Sequence, residues 1–146
     1  MYATRNDIKL IYGAEFLADV TPVDGDDPDF DPDGAVDEAL VDASAEIDGY
    51  LSKKYELPLA GQPKVLRRPC IDIAVYVLAN SHTRLTNTIE TRYEQAVALL
   101  TKISKGHAGL GKDEPSAAVS GSENGTPSGA DFTSRPRRFG RGRSDG

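Results

Sequence analysis

The feature that most constrains the fold is a change in composition near residue 106 of the 146-residue chain. Residues 35–106 carry apolar side chains at the three- and four-residue spacing that places them on one face of an α-helix. Residues 107–146 are instead rich in glycine, serine, proline and arginine, and they offer almost nothing to bury. The sequence therefore predicts a helical body followed by a long arm, an organisation more typical of an assembly component than of an enzyme.

Three long amphipathic segments predict the main helices of the body. The second segment is apolar on nearly all sides, so it should be the central and most buried helix. Pro69 either kinks this helix or marks its true start, and Gly106 fits a left-handed cap after the third helix. The segments run from Val36 to Leu51, from about Lys64 to Leu78 and from Ile89 to Ile103.

Two shorter helices are predicted before the first long one. Thr4 is placed to cap the first of them and Gly13 to end it, and the second runs from Ala14 to Asp19. The apolar side of the first short helix would consist of Ile8, Leu10 and Ile11. The predicted fold class is therefore all-α: a small bundle of three main helices plus one or two short N-terminal helices, with a long extended C-terminal arm.

The formal charge of −6 is unevenly distributed along the chain. Acidic and basic residues number 14 and 2 in residues 1–48, 4 and 9 in residues 49–111, and 5 and 6 in residues 112–146. Composition divides the same chain into a helical body, a flexible polar spacer and a docking arm rich in arginine and phenylalanine. These three parts are residues 1–111, 112–130 and 131–146.

An acidic loop joins the short helices to the first long one, and its prolines and glycines exclude regular structure. Its aspartates are Asp24, Asp26, Asp27, Asp29, Asp31 and Asp33. The alternation from Asp29 to Gly34 matches the first half of a calcium-binding loop, so a calcium-binding module is one alternative. The closing glutamate of such a loop is replaced by Leu40, however, and Pro32 interrupts it. The other interpretation is that Asp33 caps the following helix.

Residues that often carry chemistry are few and scattered. Cys70 is the single cysteine, which excludes an intramolecular disulfide, and neither His82 nor His107 has other ligands at metal-binding spacing. Cys70 and His82 on one helix would lie about 18 Å apart, too far for a nucleophile and its base. We therefore expect no enzymatic activity and no cofactor. The absence of a long apolar run or a secretion signal predicts a chain that is made in the cytoplasm and does not enter a membrane.

The C-terminal arm combines guanidinium groups with aromatic rings, a composition that suits docking on a protein surface. The residues concerned are Phe132, Arg135, Arg137, Arg138, Phe139, Arg141 and Arg143. The alternative is a nucleic-acid-binding accessory protein whose arginines contact phosphates. The acidic charge of the body opposes close approach to DNA, which favours the protein-docking interpretation.

The order and spacing of several short motifs resemble one family. The motifs run from Met1 to Thr4, from Ile47 to Leu51, from Lys54 to Leu59, from Ile71 to Ala74 and from Arg92 to Ala96. Together with Asp7, Leu99, Leu100 and Gly106, they extend the likeness over residues 1–111 and are similar to the Mu-like phage head-tail connector (adaptor) proteins.

This resemblance implies a virion protein without an active site, located at the neck between head and tail. Identical subunits would form a ring, expected to be a dodecamer, under the portal protein. The ring would also contact a downstream neck or tail-completion protein, and DNA would pass through its channel without sequence-specific binding. Two hypotheses go further: the arm docks on the portal or on a neighbouring subunit, and the acidic loop faces the channel or, alternatively, the outer rim.

Overall fold

Five α-helices and one short 3₁₀ helix make up the part of the chain that the computed structural model describes, residues 1–81 and 83–115. The helices are α1 (Arg5–Tyr12), α2 (Ala14–Val20), α3 (Pro32–Leu51), α4 (Lys64–Ser81) and α5 (Asn87–Ser104), and the 3₁₀ helix spans Gly111–Asp113. No β-strand occurs in these residues, which confirms the all-α prediction with three main and two short helices. None of the helices in this part is both long and apolar enough to cross a membrane.

The centre of the body is α4, which packs against both α3 and α5. Every residue from Pro69 to Val75 is buried, as expected for a helix covered on several sides. Pro69 lies inside this helix and does not mark its start, which is at Lys64. The buried apolar stripes of the two flanking helices are Val36, Ala39, Leu40, Ala43, Ile47 and Leu51 on α3, and Ile89, Ala96, Leu100 and Ile103 on α5.

The two short helices meet at Gly13, which ends α1 and begins α2 with a φ of 94° that favours glycine. The predicted apolar side of α1 is wrong in part, because only Ile8 is buried. Leu10 is 70% exposed and Ile11 38% exposed. Positions 8 and 10 are separated by about 200° around a helix, so both cannot face one core.

Polar contacts fix α1 and the residues before it on the main helices. Thr4 caps α1 in a reciprocal capping box with Asp7, as predicted, and Arg67 of α4 forms an ion pair with Asp7 at 2.6 Å. Burial alone would raise the pKa of Asp7, but the Thr4 hydrogen bonds and the Arg67 charge outweigh it and lower that pKa. Further upstream, the Tyr2 amide donates to Ser44 Oγ of α3 at 3.2 Å.

The residues after α5 continue to pack against the body. Gly106 has a φ of 79° and terminates the helix, as predicted. Leu110 is only 1% exposed, so the expectation that residues beyond 106 bury almost nothing is wrong at this position. Glu114 accepts hydrogen bonds from the Tyr55 hydroxyl at 2.7 Å and from the Leu110 amide at 2.5 Å. These contacts join the chain after α5 to the connection between α3 and α4.

Two leucines provide a matched test of the core. We expect Leu100→Ala to lower the free energy of unfolding by about 2 to 5 kcal/mol, because it leaves a cavity beside α4. The same change at exposed Leu10 should alter it by no more than about 0.5 kcal/mol. Urea denaturation followed by circular dichroism measures both. Equal effects at the two positions would contradict the orientation of α1.

Glu114 predicts a pH dependence of stability. Burial would raise its pKa, but hydrogen bonds from Leu110 and Tyr55 and the nearby Lys54 charge lower it below the ordinary value of 4.5. The ionised form is therefore favoured by folding, and its contribution is complete above pH 4.5 and lost as pH falls through the lowered folded-state pKa.

We expect Glu114→Gln to be less stable than the unmodified chain at pH 7, by about 1 kcal/mol or less because the carboxylate is partly solvated. This difference should shrink between pH 5 and pH 3. Denaturant titrations at each pH measure it, with exposed Glu56→Gln as the matched control. A difference that stays constant across this pH range would contradict the proposed role of the carboxylate.

Candidate interaction surfaces

The acidic loop, residues 24–33, crosses the surface between α2 and α3 as a series of local turns. Asp24 accepts a hydrogen bond from the Asp26 amide, and Asp27 accepts one from the Asp29 amide, both at 3.0 Å. Such aspartate turns satisfy backbone amides where proline and glycine prevent a helix. All six predicted aspartates are exposed, so their side chains are available to solvent or to a partner.

The end of this loop forms the start of α3, and the cap is Asp31 instead of the expected Asp33. The Asp31 carboxylate accepts from the Asp33 amide at 3.1 Å, and Pro32 occupies the first helical position. Proline suits that position because its missing amide hydrogen would have no helical partner. Asp33 instead forms an ion pair with Arg5 of α1 at 2.5 Å, and Arg5 also contacts Asp37 at 3.0 Å.

These contacts bear on the calcium alternative. A calcium loop directs its alternate carboxylates inward onto one ion. Here Asp31 faces the helix terminus and Asp33 faces Arg5, so the two carboxylates do not converge. Among residues 1–81 and 83–115, no group of three or more His, Cys, Asp or Glu side chains is arranged to hold a metal ion.

Four aspartates of the loop keep a negative charge without a basic partner in the described part of the chain. They are Asp24, Asp26, Asp27 and Asp29, and no Lys or Arg nitrogen of that part lies within 4.0 Å of their carboxylates. Clustered like charges of this kind create a local negative potential at the surface. The loop is therefore suited to attract a positively charged surface.

A second surface feature is a groove between α4 and α5, which sequence reasoning did not identify. It has a volume of about 340 Å³. Its apolar lining consists of Val65, Pro69, Ala96 and Leu99. Its polar lining consists of Arg68, Asp72, Arg92 and Gln95. We call this feature the α4–α5 groove.

The polar side of the groove is organised around Asp72, which is only 7% exposed. It accepts a hydrogen bond from the Tyr12 hydroxyl at 2.7 Å and forms an ion pair with Arg68 at 3.1 Å. Arg92 lies over the Tyr12 ring at 4.9 Å, and Phe16 stacks against the same ring at 4.7 Å. One carboxylate thus stands among two guanidinium groups, which leaves the groove with an excess of positive charge.

The Tyr12 hydroxyl holds its proton more firmly in this setting. Burial raises its pKa, and the hydrogen bond to Asp72 raises it further, while Arg92 acts in the opposite direction. The hydroxyl therefore remains a hydrogen-bond donor to Asp72 at neutral pH. This arrangement compensates for placing a carboxylate among the apolar residues of α4.

The signal that could have revealed the groove is the charged residue within the apolar run of α4. Asp72 lies between Ile71 and Ile73, and a buried carboxylate needs a cation or donor nearby. Arg68, four residues earlier, is its helical neighbour. Arg92 is brought to the same place only by the packing of α5, so the sequence gives no local indication of it.

The predicted docking residues of the arm, from Phe132 to Arg143, lie outside the described residues, and so does His82. His107 is exposed just after α5. Cys70 of α4 is fully buried, with its sulfur next to Ser44 of α3, and burial raises the pKa of its thiol. The structure therefore describes the acidic loop and the α4–α5 groove as two surfaces, while the docking role of the arm stays a prediction.

Comparison with known proteins identifies the family. Residues 2–127 match the family described as Bacteriophage Mu, Gp36. The chain is 37% identical over 119 residues to gene product J of Escherichia phage Mu, covering 80% of this chain and 81% of that protein. It is also 42% identical over 90 residues to the Mu-like prophage FluMu protein gp36 of Haemophilus influenzae, a match that spans 62% of each protein. The chain belongs to this phage Mu family, which confirms the resemblance found in the sequence.

Two aspartates of the acidic loop provide a matched test of its structure. We expect Asp31→Ala to destabilise the protein by about 0.5 to 2 kcal/mol, because the first turn of α3 loses its cap. Asp29→Ala removes the same charge from a side chain without a cap role and should change stability by no more than about 0.5 kcal/mol. Thermal and urea denaturation measure both variants. A larger loss at Asp29 than at Asp31 would show that the cap is wrongly assigned.

Proposed function

We propose that this member of the phage Mu Gp36 family is a structural virion protein, a head-tail connector. Identical subunits would form a ring, expected to be a dodecamer, beneath the portal protein. The ring would join the capsid to the tail and continue the channel through which DNA passes without sequence-specific binding. The observation that carries this proposal is the family match over residues 2–127, together with the order of motifs that resembles the connector proteins.

The distribution of charge supports an assembly role. In the described residues, four loop carboxylates on one surface have no basic partner, while the α4–α5 groove has an excess of positive charge. Subunits that join in a ring need two different complementary surfaces, because each subunit contacts one neighbour with each of them. A body with separate acidic and basic surfaces meets this requirement.

The groups that most often carry catalysis have structural partners in this body. Asp72 is engaged by Tyr12 and Arg68, and the Ser44 hydroxyl donates to the Leu40 carbonyl at 2.8 Å. Cys70 is buried in the core. The proposed function needs none of these groups for chemistry, and we propose no enzymatic activity.

The arm and the acidic loop have specific places in this proposal. The arm, with Phe132, Phe139 and its arginines, would dock on the portal or on a neighbouring subunit. The loop would line the channel, where its carboxylates would repel the DNA backbone, or face the downstream neck protein at the rim. Both places stay predictions, and the chain would be part of the virion neck.

The proposal is tested by binding to purified portal rings from the same phage. Three chains are compared: full length, one ending at Ala130 and one ending at Pro115. The last retains Glu114 and therefore the contacts that complete the body. We expect a ring of full-length protein on the portal in particle images. Affinity measured by sedimentation should fall by about tenfold, or about 1.4 kcal/mol, when the arm is removed.

The chain ending at Ala130 separates the arm from the spacer, so it should bind as weakly as the shorter one. Equal binding by all three chains would remove the docking role from the arm and leave the connector proposal intact. Failure of the full-length protein to bind portals, combined with DNA binding that falls steeply with salt, would instead support the nucleic-acid-binding alternative.

A further inference from the structure

We propose that the α4–α5 groove of one subunit binds the acidic loop of a second copy of this chain. The inference rests on the proposed function, since it assigns the contact between neighbours in the ring. It places the acidic loop at the contact between neighbouring subunits, in place of the channel or rim position given under the proposed function. The argument comes from the charge, exposure and shape of both surfaces.

The groove has the chemistry to bind an acidic segment that also carries an apolar side chain. Arg68 lines the groove and is half exposed, and its guanidinium forms an ion pair with Asp72. Among the described residues, Asp72 is the one carboxylate in the lining beside two arginines, so the groove keeps a net positive charge. Arg92 has no carboxylate within 4.0 Å in the described part of the chain and contacts the Tyr12 ring instead. Beside these cations, Val65 and Leu99 remain only partly covered. A binding partner could therefore pair with the arginines and cover apolar surface at once.

The acidic loop has the complementary composition. Asp26 and Asp29 are exposed and have no basic partner in the described residues. Phe30 directly follows Asp29 and is partly exposed, so part of its ring remains available to a partner. Its neighbours Asp31 and Asp33 are held by the α3 cap and by Arg5, which fixes the base of the loop. The loop is thus an acidic segment with an aromatic anchor, and its base is held on α1 and α3.

The loop and the groove of one subunit do not form this contact with each other. No loop carboxylate lies within 4.0 Å of Arg68 or Arg92. Arg5, which forms an ion pair at the base of the loop, is already shared by Asp33 and Asp37. A pairing between two subunits joins two different surfaces of the same chain. Such a heterologous contact passes from one subunit to the next and can close into a ring.

Charge complementarity favours a second copy as the occupant. Residues 1–48 hold 14 acids against 2 bases, while residues 49–111 hold 9 bases against 4 acids. The acidic loop belongs to the first of these segments and the groove arginines to the second, so a contact between two copies brings opposite charges together. The arginine-rich arm would place more positive charge beside Arg68 and Arg92, so it is a poorer occupant of the groove.

Cysteine cross-linking on portal rings tests the contact with the full-length chain. One chain carries Asp29→Cys in the loop and another carries Gln95→Cys in the groove, both at exposed positions. The native Cys70 is fully buried and should not react in the folded protein. With a short bismaleimide, we expect a cross-linked dimer from the 1:1 mixture and little from either chain alone. A chain carrying both substitutions should give a ladder of larger products.

Two further variants test whether charge directs the pairing. Adding Asp26→Lys to the Asp29→Cys chain should lower the dimer yield several-fold without disturbing the fold, because Asp26 is exposed. Raising the salt concentration should also lower the dimer yield of the Asp29→Cys and Gln95→Cys pair without Asp26→Lys. The control pairs Asp29→Cys with Glu15→Cys, an exposed position on α2.

The outcomes separate this inference from the proposed function. Rings on the portal together with the selective cross-link between positions 29 and 95 support the inference. Rings without that cross-link, or with equal yield from the Glu15→Cys control, overturn it and leave the connector function standing. Cross-linking of position 29 to Ser134→Cys in place of position 95 would assign the loop to the arm of a neighbour. Absence of rings altogether would overturn the connector function and this inference with it.

Discussion

The structure depends on the burial of α4 between the other helices. A helix covered by α3 and α5 must be apolar on several sides, and its one buried carboxylate, Asp72, must find donors and cations. Tyr12 and Arg68 supply them, while Arg92 stands over the Tyr12 ring. The Arg68–Asp72 pair that lines the groove is therefore a consequence of how the core accommodates one carboxylate. Removing that carboxylate would change both the core and the surface beside it.

The three long helices could be predicted because apolar residues repeat with the helical period over four or five turns. The orientation of α1 could not, because its apolar residues at positions 8, 10 and 11 point in different directions around an eight-residue helix. Contacts with other elements decide which of them is buried, among them the ion pair between Asp7 and Arg67, the Tyr12–Asp72 hydrogen bond and the packing of α2. The burial of Leu110 was missed for a related reason, since an isolated apolar residue carries no periodic signal.

The acidic loop and the α4–α5 groove differ in how far the sequence predicts them. The acidic loop follows directly from composition, and the rule that proline favours the first helical position would have identified Asp31 as the cap. The groove combines residues from two helices, so its existence depends on the angle and register at which α4 and α5 pack. Asp72 within an apolar run was the available indication. Such a residue is a useful starting point when a helical sequence is searched for surfaces built by packing.

The contacts of residues 110–114 affect the order in which the protein can fold during synthesis. Asp113 accepts from the Lys64 amide at the start of α4 at 3.4 Å, and Glu114 holds the Tyr55 hydroxyl. Both partners are synthesised before the carboxylates that engage them, Lys64 by 49 residues and Tyr55 by 59 residues. During synthesis, the connection between α3 and α4 therefore gains these hydrogen bonds only after the end of the body has left the ribosome. A chain released before residue 114 would lack the Glu114 contacts. The fold is therefore complete only after the ribosome has synthesised the whole body.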